Sequence, residues 1–207
     1  TPTSSGKTLC YNLPVLDAVL KDPESRAMYI FPTKALAQDQ LAEMSELALK
    51  GDFTLRSYTF DGDTPSQKRR LAKDVGQVII TNPDMLHQAI LPHHPTWVKL
   101  FSGLKFVVID EMHGYRGVFG SHVANVLRRL KRIAAFYGSY PQFILASATI
   151  ANPEELASTL IQDEVALIHK NGAPTSEKEM VFYNPPALTP DGSVRAPVID
   201  TAAKIAS

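Results

Sequence analysis

The sequence predicts an α/β fold, an open and mostly parallel sheet with helices on both faces. Three observations carry this. Short apolar runs of about five residues, rich in Val, Ile, Phe and Tyr, recur along the chain, as strands buried on both faces do. Longer stretches with apolar residues at helical spacing lie between them. Strands that alternate with helices wind a parallel sheet, whose ligand crevice lies at the carboxyl ends of its strands.

Taken in order, residues 9–20 form an amphipathic helix that Pro14 should kink. Strands are expected at 27–31, 55–60, 77–81, 104–109 and 143–147. The helix at 35–49 places Leu36, Leu41, Met44, Leu47 and Ala48 on one stripe. The helix at 122–137 does the same with Val123, Val126, Leu127, Leu130, Ile133 and Ala134. A helix at 153–161 opens after Asn152, a suitable N-cap, with Pro153 at its first position. From Asn171 onward Pro, Gly and Thr are frequent, interrupted by a strand-like run at 179–183 that Asn184-Pro185-Pro186 ends. Residues 1–170 are therefore expected to form one domain. Residues 171–207 read as a linker (171–196) followed by a first piece, 198–206, of a further domain.

Composition excludes several classes. The 207 residues carry 21 basic and 21 acidic side chains, so any nucleic-acid contact must come from local patches and backbone groups. The single cysteine, Cys10, rules out an internal disulfide framework and a Cys-only zinc site. The apolar runs fall far short of the roughly 20 residues that a membrane helix needs, and no signal peptide is visible, so no membrane contact and a cytoplasmic location are expected. The opening Thr-Pro-Thr-Ser-Ser-Gly-Lys reads as a cut within a longer chain.

Two motifs carry chemistry. In Thr3-Ser4-Ser5-Gly6-Lys7-Thr8, the Gly-Lys-Thr triplet at the start of a helix is half of a P-loop. Gly6 lets backbone N–H groups approach phosphates, Lys7 neutralises their charge, and Thr8 offers a hydroxyl to Mg²⁺. The strict motif has glycine where Thr1 stands, and the triplet alone fits a capped surface helix equally well. Phe106-Val107-Val108-Ile109-Asp110-Glu111-Met112-His113 is a buried strand that runs into two acids. Asp110 would hold Mg²⁺ through water, and Glu111 would orient or deprotonate the attacking water. By itself His113 reads equally as a core or a site residue. No acid occurs between Met112 and Pro153, while Arg116, Arg128, Arg129, Lys131 and Arg132 do. That stretch is either a solvated helix face or a surface for a partner or a nucleic-acid backbone.

Gly6-Lys7-Thr8, Asp110-Glu111-Met112-His113 and Ser147-Ala148-Thr149 occur in order and resemble motifs I, II and III of superfamily 2 helicases of the DEAD/DEAH type. Phe31-Pro32-Thr33-Lys34-Ala35-Leu36 resembles motif Ia, Asp61-Gly62-Asp63-Thr64 the segment after the third strand, and Thr81-Asn82-Pro83-Asp84 motif Ib. The run from His113 to Val123, together with Gly172-Ala173-Pro174 and Phe182-Tyr183-Asn184-Pro185-Pro186, resembles the RecQ-like repair helicases of the mitomycin repair factor A type.

The resemblance implies a RecA-like P-loop NTPase domain that uses ATP and Mg²⁺. Thr3, Ser4, Ser5, Gly6, Lys7 and Thr8 would bind ATP, with Thr8 and Asp110 at the metal. Lys7, Asp110, Glu111 and His113 would be catalytic, and Ser147 and Thr149 would couple hydrolysis to movement. Pro32, Thr33, Lys34, Gly62, Thr81, Asn82 and Arg116 would contact nucleic acid, expected to be single-stranded DNA, through its backbone. It further implies a role in DNA repair and a second RecA-like domain in the same parent chain. The present sequence then reads as a first RecA-like domain truncated at its N-terminus, lacking a P-loop strand expected at the centre of the sheet. A P-loop kinase or other small-molecule NTPase, and an inert nucleic-acid-binding fragment, are the alternatives. The Ser-Ala-Thr and Thr-Asn-Pro segments disfavour the kinase.

Overall fold

The structure is a computed structural model that describes residues 6–148, 150–168 and 188–189. Chain contacts divide it into two units, Thr1–Asn171 and Gly172–Ser207, and every element below belongs to the first. The strand expected at 179–183 and the segment 198–206 lie outside the described residues, as do Thr3, Ser4, Ser5 and Thr149.

Five strands, β1 (Arg26–Ile30), β2 (Ser57–Thr59), β3 (Val78–Thr81), β4 (Leu104–Ile109) and β5 (Gln142–Leu145), pair in the order β2-β3-β1-β4-β5. Every pairing is parallel. The helices are α1 (Lys7–Lys21), α2 (Lys34–Lys50), α3 (Ser66–Val75), α4 (Pro83–Met85), α5 (Val98–Ser102), α6 (Gly117–Phe136) and α7 (Pro153–Ile161).

The alternation of side chains along the strands builds two cores. Ala27 and Tyr29 face one side, with Tyr11, Val15 and Val19 of α1 and Ala37 and Met44 of α2. Met28 and Ile30 face the other, with Ala72 of α3, Phe101 of α5, Val123 and Leu127 of α6 and Leu160 of α7. Burial on both faces is why β1 and β3 read as unbroken apolar runs. The expected mostly parallel, doubly covered sheet is the observed one.

The details differ where local signals conflict. The strand expected at 55–60 contracts to β2, a half-exposed edge strand, and the one expected at 143–147 ends at Leu145. α1 runs across Pro14 as a single helix. α6 starts five residues earlier than its apolar stripe suggests, because Gly117 and Gly120 conceal its first turn. Gly120 is needed there: a Cβ would lie 2.5 Å from the Tyr115 carbonyl oxygen. α3 is missed because only its Ala72 is buried. The irregular helical stretch from α4 to α5 is missed because Pro92 and Pro95 break its periodicity. Asn152 does precede α7, but its side chain makes no cap; its Nδ2 donates to Glu155 Oε2 at 2.7 Å.

One expectation is corrected. The three interior strands, β3, β1 and β4, each already have two neighbours. A further strand has no place at the centre of this sheet and only the β2 and β5 edges to join.

Candidate functional site

Because all five strands run the same way, the loops after Ile30, Thr59, Thr81, Ile109 and Leu145 gather at one end of the sheet. The start of α1 comes to that end too. Lys7 Nζ donates to the Ser147 carbonyl at 3.1 Å, and Tyr11 donates its phenol proton to Asp110 Oδ2 at 2.8 Å. Sequence positions about 100 to 140 residues apart thus meet in one place.

Gly6 occupies the N-cap of α1 in a left-handed conformation, φ 73°, with open space where a side chain would project. No side chain caps this helix and no acid lies in its first turn. The Leu9 N–H donates to the Gly6 carbonyl at 3.1 Å, while the Lys7 and Thr8 N–H groups have no partner among the described residues, which is the arrangement that accepts a phosphate. Lys7 and Thr8 follow, half-buried.

Asp110 leaves the end of β4 with both carboxylate oxygens engaged. Oδ1 accepts from the Glu111 N–H at 2.7 Å, and Oδ2 from Tyr11. Each oxygen keeps a lone pair for a metal. Glu111 is held in the left-handed region, φ 52°, a conformation that costs energy for a residue with a side chain. His113 Nδ1 lies 3.1 Å from Glu111 Oε2, yet the two are not aligned for a hydrogen bond, and that buried nitrogen has no hydrogen-bond partner among the described residues. Met112 is buried, and its N–H donates to the Ala146 carbonyl, which ties the acidic loop to the end of β5.

A carboxylate and a hydroxyl are hard oxygen donors that suit Mg²⁺, which takes one or two protein ligands and completes its shell with water and substrate phosphate. Asp110 and Thr8 fit that role. No cluster of three or more His, Cys, Asp or Glu suited to a metal occurs among the described residues, so a metal cage made of protein ligands alone is not indicated there.

The residues expected at nucleic acid line the other half of the same end. Pro32 is half-buried and Thr33 exposed; Thr33 Oγ1 caps α2 by accepting from the Leu36 N–H at 3.4 Å. Lys34 is exposed and pairs with Asp63. Gly62 is exposed in a loop that Arg69 holds by donating to the carbonyls of Asp61, Gly62 and Thr64 at 2.7, 3.1 and 2.8 Å. Asn82 Oδ1 caps α4 by accepting from the Met85 N–H at 2.9 Å. Thr81 departs from expectation: it is 2% exposed and its hydroxyl donates to the Phe60 carbonyl at 2.8 Å, so its side chain braces β3 against β2 and is not available to a strand. Arg116 is exposed and lines a groove of about 780 Å³ between α6 and α7, with Arg128, Asn125 and Thr159. No phosphate-site residue lines that groove.

Ser147 also departs from expectation. Its carbonyl, not its hydroxyl, meets Lys7, and its Oγ is buried with no partner among the described residues.

Sequence reasoning missed a buried polar cluster behind the acids. Tyr29 donates to Asn12 Oδ1 at 3.0 Å, Gln40 Nε2 donates to the same oxygen at 3.3 Å, and Gln40 Oε1 lies 3.1 Å from the Tyr11 phenol oxygen. Burial, then the Asp110 carboxylate, pushes the Tyr11 phenol far above its ordinary pKa. The signal was present: Gln40 falls on the buried stripe of Ala37, Met44 and Ala48, where a polar residue needs a partner.

The comparisons with known proteins agree with this geometry. The model of the DEAD/DEAH box helicase family matches residues 1–156. The chain is 57% identical over 195 residues to the ATP-dependent helicase YprA of Bacillus subtilis (strain 168), covering 94% of this chain and 26% of YprA. It is 47% identical over 210 residues to the ATP-dependent helicase HRQ1 of Saccharomyces cerevisiae, covering 99% of this chain and 20% of HRQ1. Its fold superposes on the helicase MrfA, solved bound to DNA and AMPPNP, with a TM-score of 0.93 and 55% identity, over 100% of this chain and 29% of MrfA. The chain therefore spans about a quarter of the length of these relatives. The resemblance to the RecA-like domain of this helicase type is borne out in both sequence and fold. On a family match over most of its length, the chain belongs to the DEAD/DEAH box helicases.

Proposed function

We propose that this chain is the ATP-binding motor domain of an ATP-dependent helicase that moves along single-stranded DNA in DNA repair. The observation that supports this most is the meeting of an open helix N-terminus and Lys7 with Asp110 and Glu111 at the same sheet end where the loops carrying the exposed Thr33, Lys34 and Gly62 and the half-buried Asn82 emerge. Lys7 and the α1 N–H groups hold the phosphates. Thr8 and Asp110 hold Mg²⁺, which when bound offsets charge on the phosphate oxygens. Glu111 orients water, and the hydrogen bond from Lys7 Nζ to the Ser147 carbonyl links the nucleotide to the β5 loop. Loop hydroxyls, amides and backbone N–H groups contact the strand without reading its sequence. A second RecA-like domain of the same parent supplies the arginine that completes the site; such residues contribute ~10³–10⁵ in rate.

The test is ATP turnover by the full-length protein with and without single-stranded DNA of several sequences and at several salt concentrations. Stimulation that varies little with sequence and weakens with salt is expected. Turnover indifferent to nucleic acid, with phosphate transferred to a small molecule, would overturn this reading in favour of a kinase.

A further inference from the structure

We propose that Tyr11 is a positioning residue for the metal-binding acid: its phenol fixes the orientation in which Asp110 presents its free lone pairs. This rests on the reading of Asp110 as the Mg²⁺ ligand. Three observations support it. Tyr11 is 2% exposed and its oxygen lies 2.8 Å from Oδ2 of the half-buried Asp110, so the donor of this charge-assisted hydrogen bond is shielded from bulk water. The opposite oxygen, Oδ1, is held at 2.7 Å by the Glu111 N–H. Two donors on two different oxygens define the carboxylate plane, and a carboxylate held by only one of them is free to rotate about its Cβ–Cγ bond.

The third observation is that Tyr11 is itself held. Its ring packs edge-on against Tyr29, with centroids 5.7 Å apart at 88°. The Gln40 amide oxygen lies 3.1 Å from the phenol on the side away from solvent. A phenol has one proton. The ionised carboxylate is the stronger acceptor, so the proton goes to Asp110, with Gln40 the acceptor it would otherwise find. Tyr11 is on the same helix as Thr8, one turn further along, so a single rigid element carries the hydroxyl expected at the metal and the donor that aims the metal's carboxylate. Groups that orient metal ligands typically change metal affinity by about 10–100-fold when removed.

The test is Tyr11→Phe in the full-length protein, which keeps the ring and its packing and removes only the hydroxyl. Mn²⁺ stands in for Mg²⁺ and is titrated by electron paramagnetic resonance in the presence of AMPPNP, and AMPPNP affinity is measured separately in EDTA. Asp110→Asn is the control. The expected result is Mn²⁺ affinity weakened about tenfold or more, with metal-free nucleotide affinity changed less than about twofold because Lys7 and the α1 N-terminus are untouched. Mn²⁺ affinity within about twofold of wild type, while Asp110→Asn loses it, overturns the role of Tyr11 and leaves the reading of Asp110 standing. Equal losses of metal and of metal-free nucleotide affinity also overturn it, since that is the mark of general damage to the fold. If Asp110→Asn itself binds Mn²⁺ normally, the assignment of Asp110 fails and takes the role of Tyr11 with it.

Discussion

Thr81→Val separates a strand contact from a structural brace. The two side chains are nearly the same size, so the change removes a hydroxyl without opening a cavity. In this structure that hydroxyl donates to the Phe60 carbonyl at 2.8 Å from a residue 2% exposed. Losing the bond costs about 0.5–1.5 kcal/mol net, and leaving a buried carbonyl without its donor raises the cost to about 1–3 kcal/mol. At roughly 2–4 °C per kcal/mol for a domain of this size, the midpoint of thermal unfolding should fall by about 2–12 °C. Circular dichroism melts read that shift. Fluorescence anisotropy with labelled single-stranded DNA, repeated across a salt series below the melting range, reads the interface. Affinity and salt slope should remain close to wild type. Lys34→Ala should behave in the opposite way, with little change in stability and a salt slope shallower by about one unit. If Thr81→Val melts normally but binds DNA ten times more weakly, the hydroxyl touches the strand and the brace assignment is wrong.

The remaining predictions concern the two halves of the site. Lys7→Ala should weaken the binding of a fluorescent ATP analogue, whereas Glu111→Gln should bind it normally and stop hydrolysis; wild-type turnover by Glu111→Gln would remove that residue from the chemistry. Gly6→Ala meets no atom within 4 Å but forces a side chain into φ 73°, a cost of roughly 1–2 kcal/mol, so analogue affinity should fall by about tenfold; unchanged affinity would show that the left-handed cap is dispensable. Arg69→Ala removes three hydrogen bonds and a contact with the Phe60 ring, so the amides of residues 61–64 should exchange with deuterium faster and DNA affinity should drop; unaltered exchange would mean that the loop holds its own shape.

The parts legible in the sequence were those in which one physical cause dominates. Strands buried on both faces left continuous apolar runs, and β4 was read to the residue because Leu104–Ile109 is flanked by a glycine and two acids. Gly6-Lys7-Thr8 could be placed at a helix start and Asp110-Glu111 at a strand end because phosphate and metal chemistry restrict the residue types. The rest depended on partners distant in sequence. Nothing near Thr81 indicates that Phe60 will lie beside it. Nothing near Tyr11 in the sequence marks it as the partner of Asp110, which the fold brings within 2.8 Å. α3 is so rich in Lys, Arg and Gln that its single buried alanine gave no stripe to detect.

The corrected place of the P-loop strand and the contact made by Ser147 bear on the same question, how the start of α1 is supported. A P-loop strand at the centre of the sheet would have supported it through pairing on both sides. The observed sheet is continuous across β3, β1 and β4, so its interior owes nothing to such a strand. What anchors the start of α1 is instead side-chain chemistry at the sheet's end: Tyr11 on Asp110 after β4, and Lys7 on the Ser147 carbonyl after β5. An ammonium has three N–H donors, and only one is used by Ser147, which leaves two for phosphate. In the proposed reading the lysine would take up nucleotide without releasing the loop after β5, and the pull of a phosphate on Nζ would be transmitted to main chain. Ser147 Oγ, buried and without a partner among the described residues, adds a second feature. A buried hydroxyl in that state is costly and gains most from any rearrangement that brings it an acceptor or donor. The β5 loop is thus held by its carbonyl and unsatisfied at its hydroxyl, which supports the proposal that this loop is where nucleotide state is converted into movement.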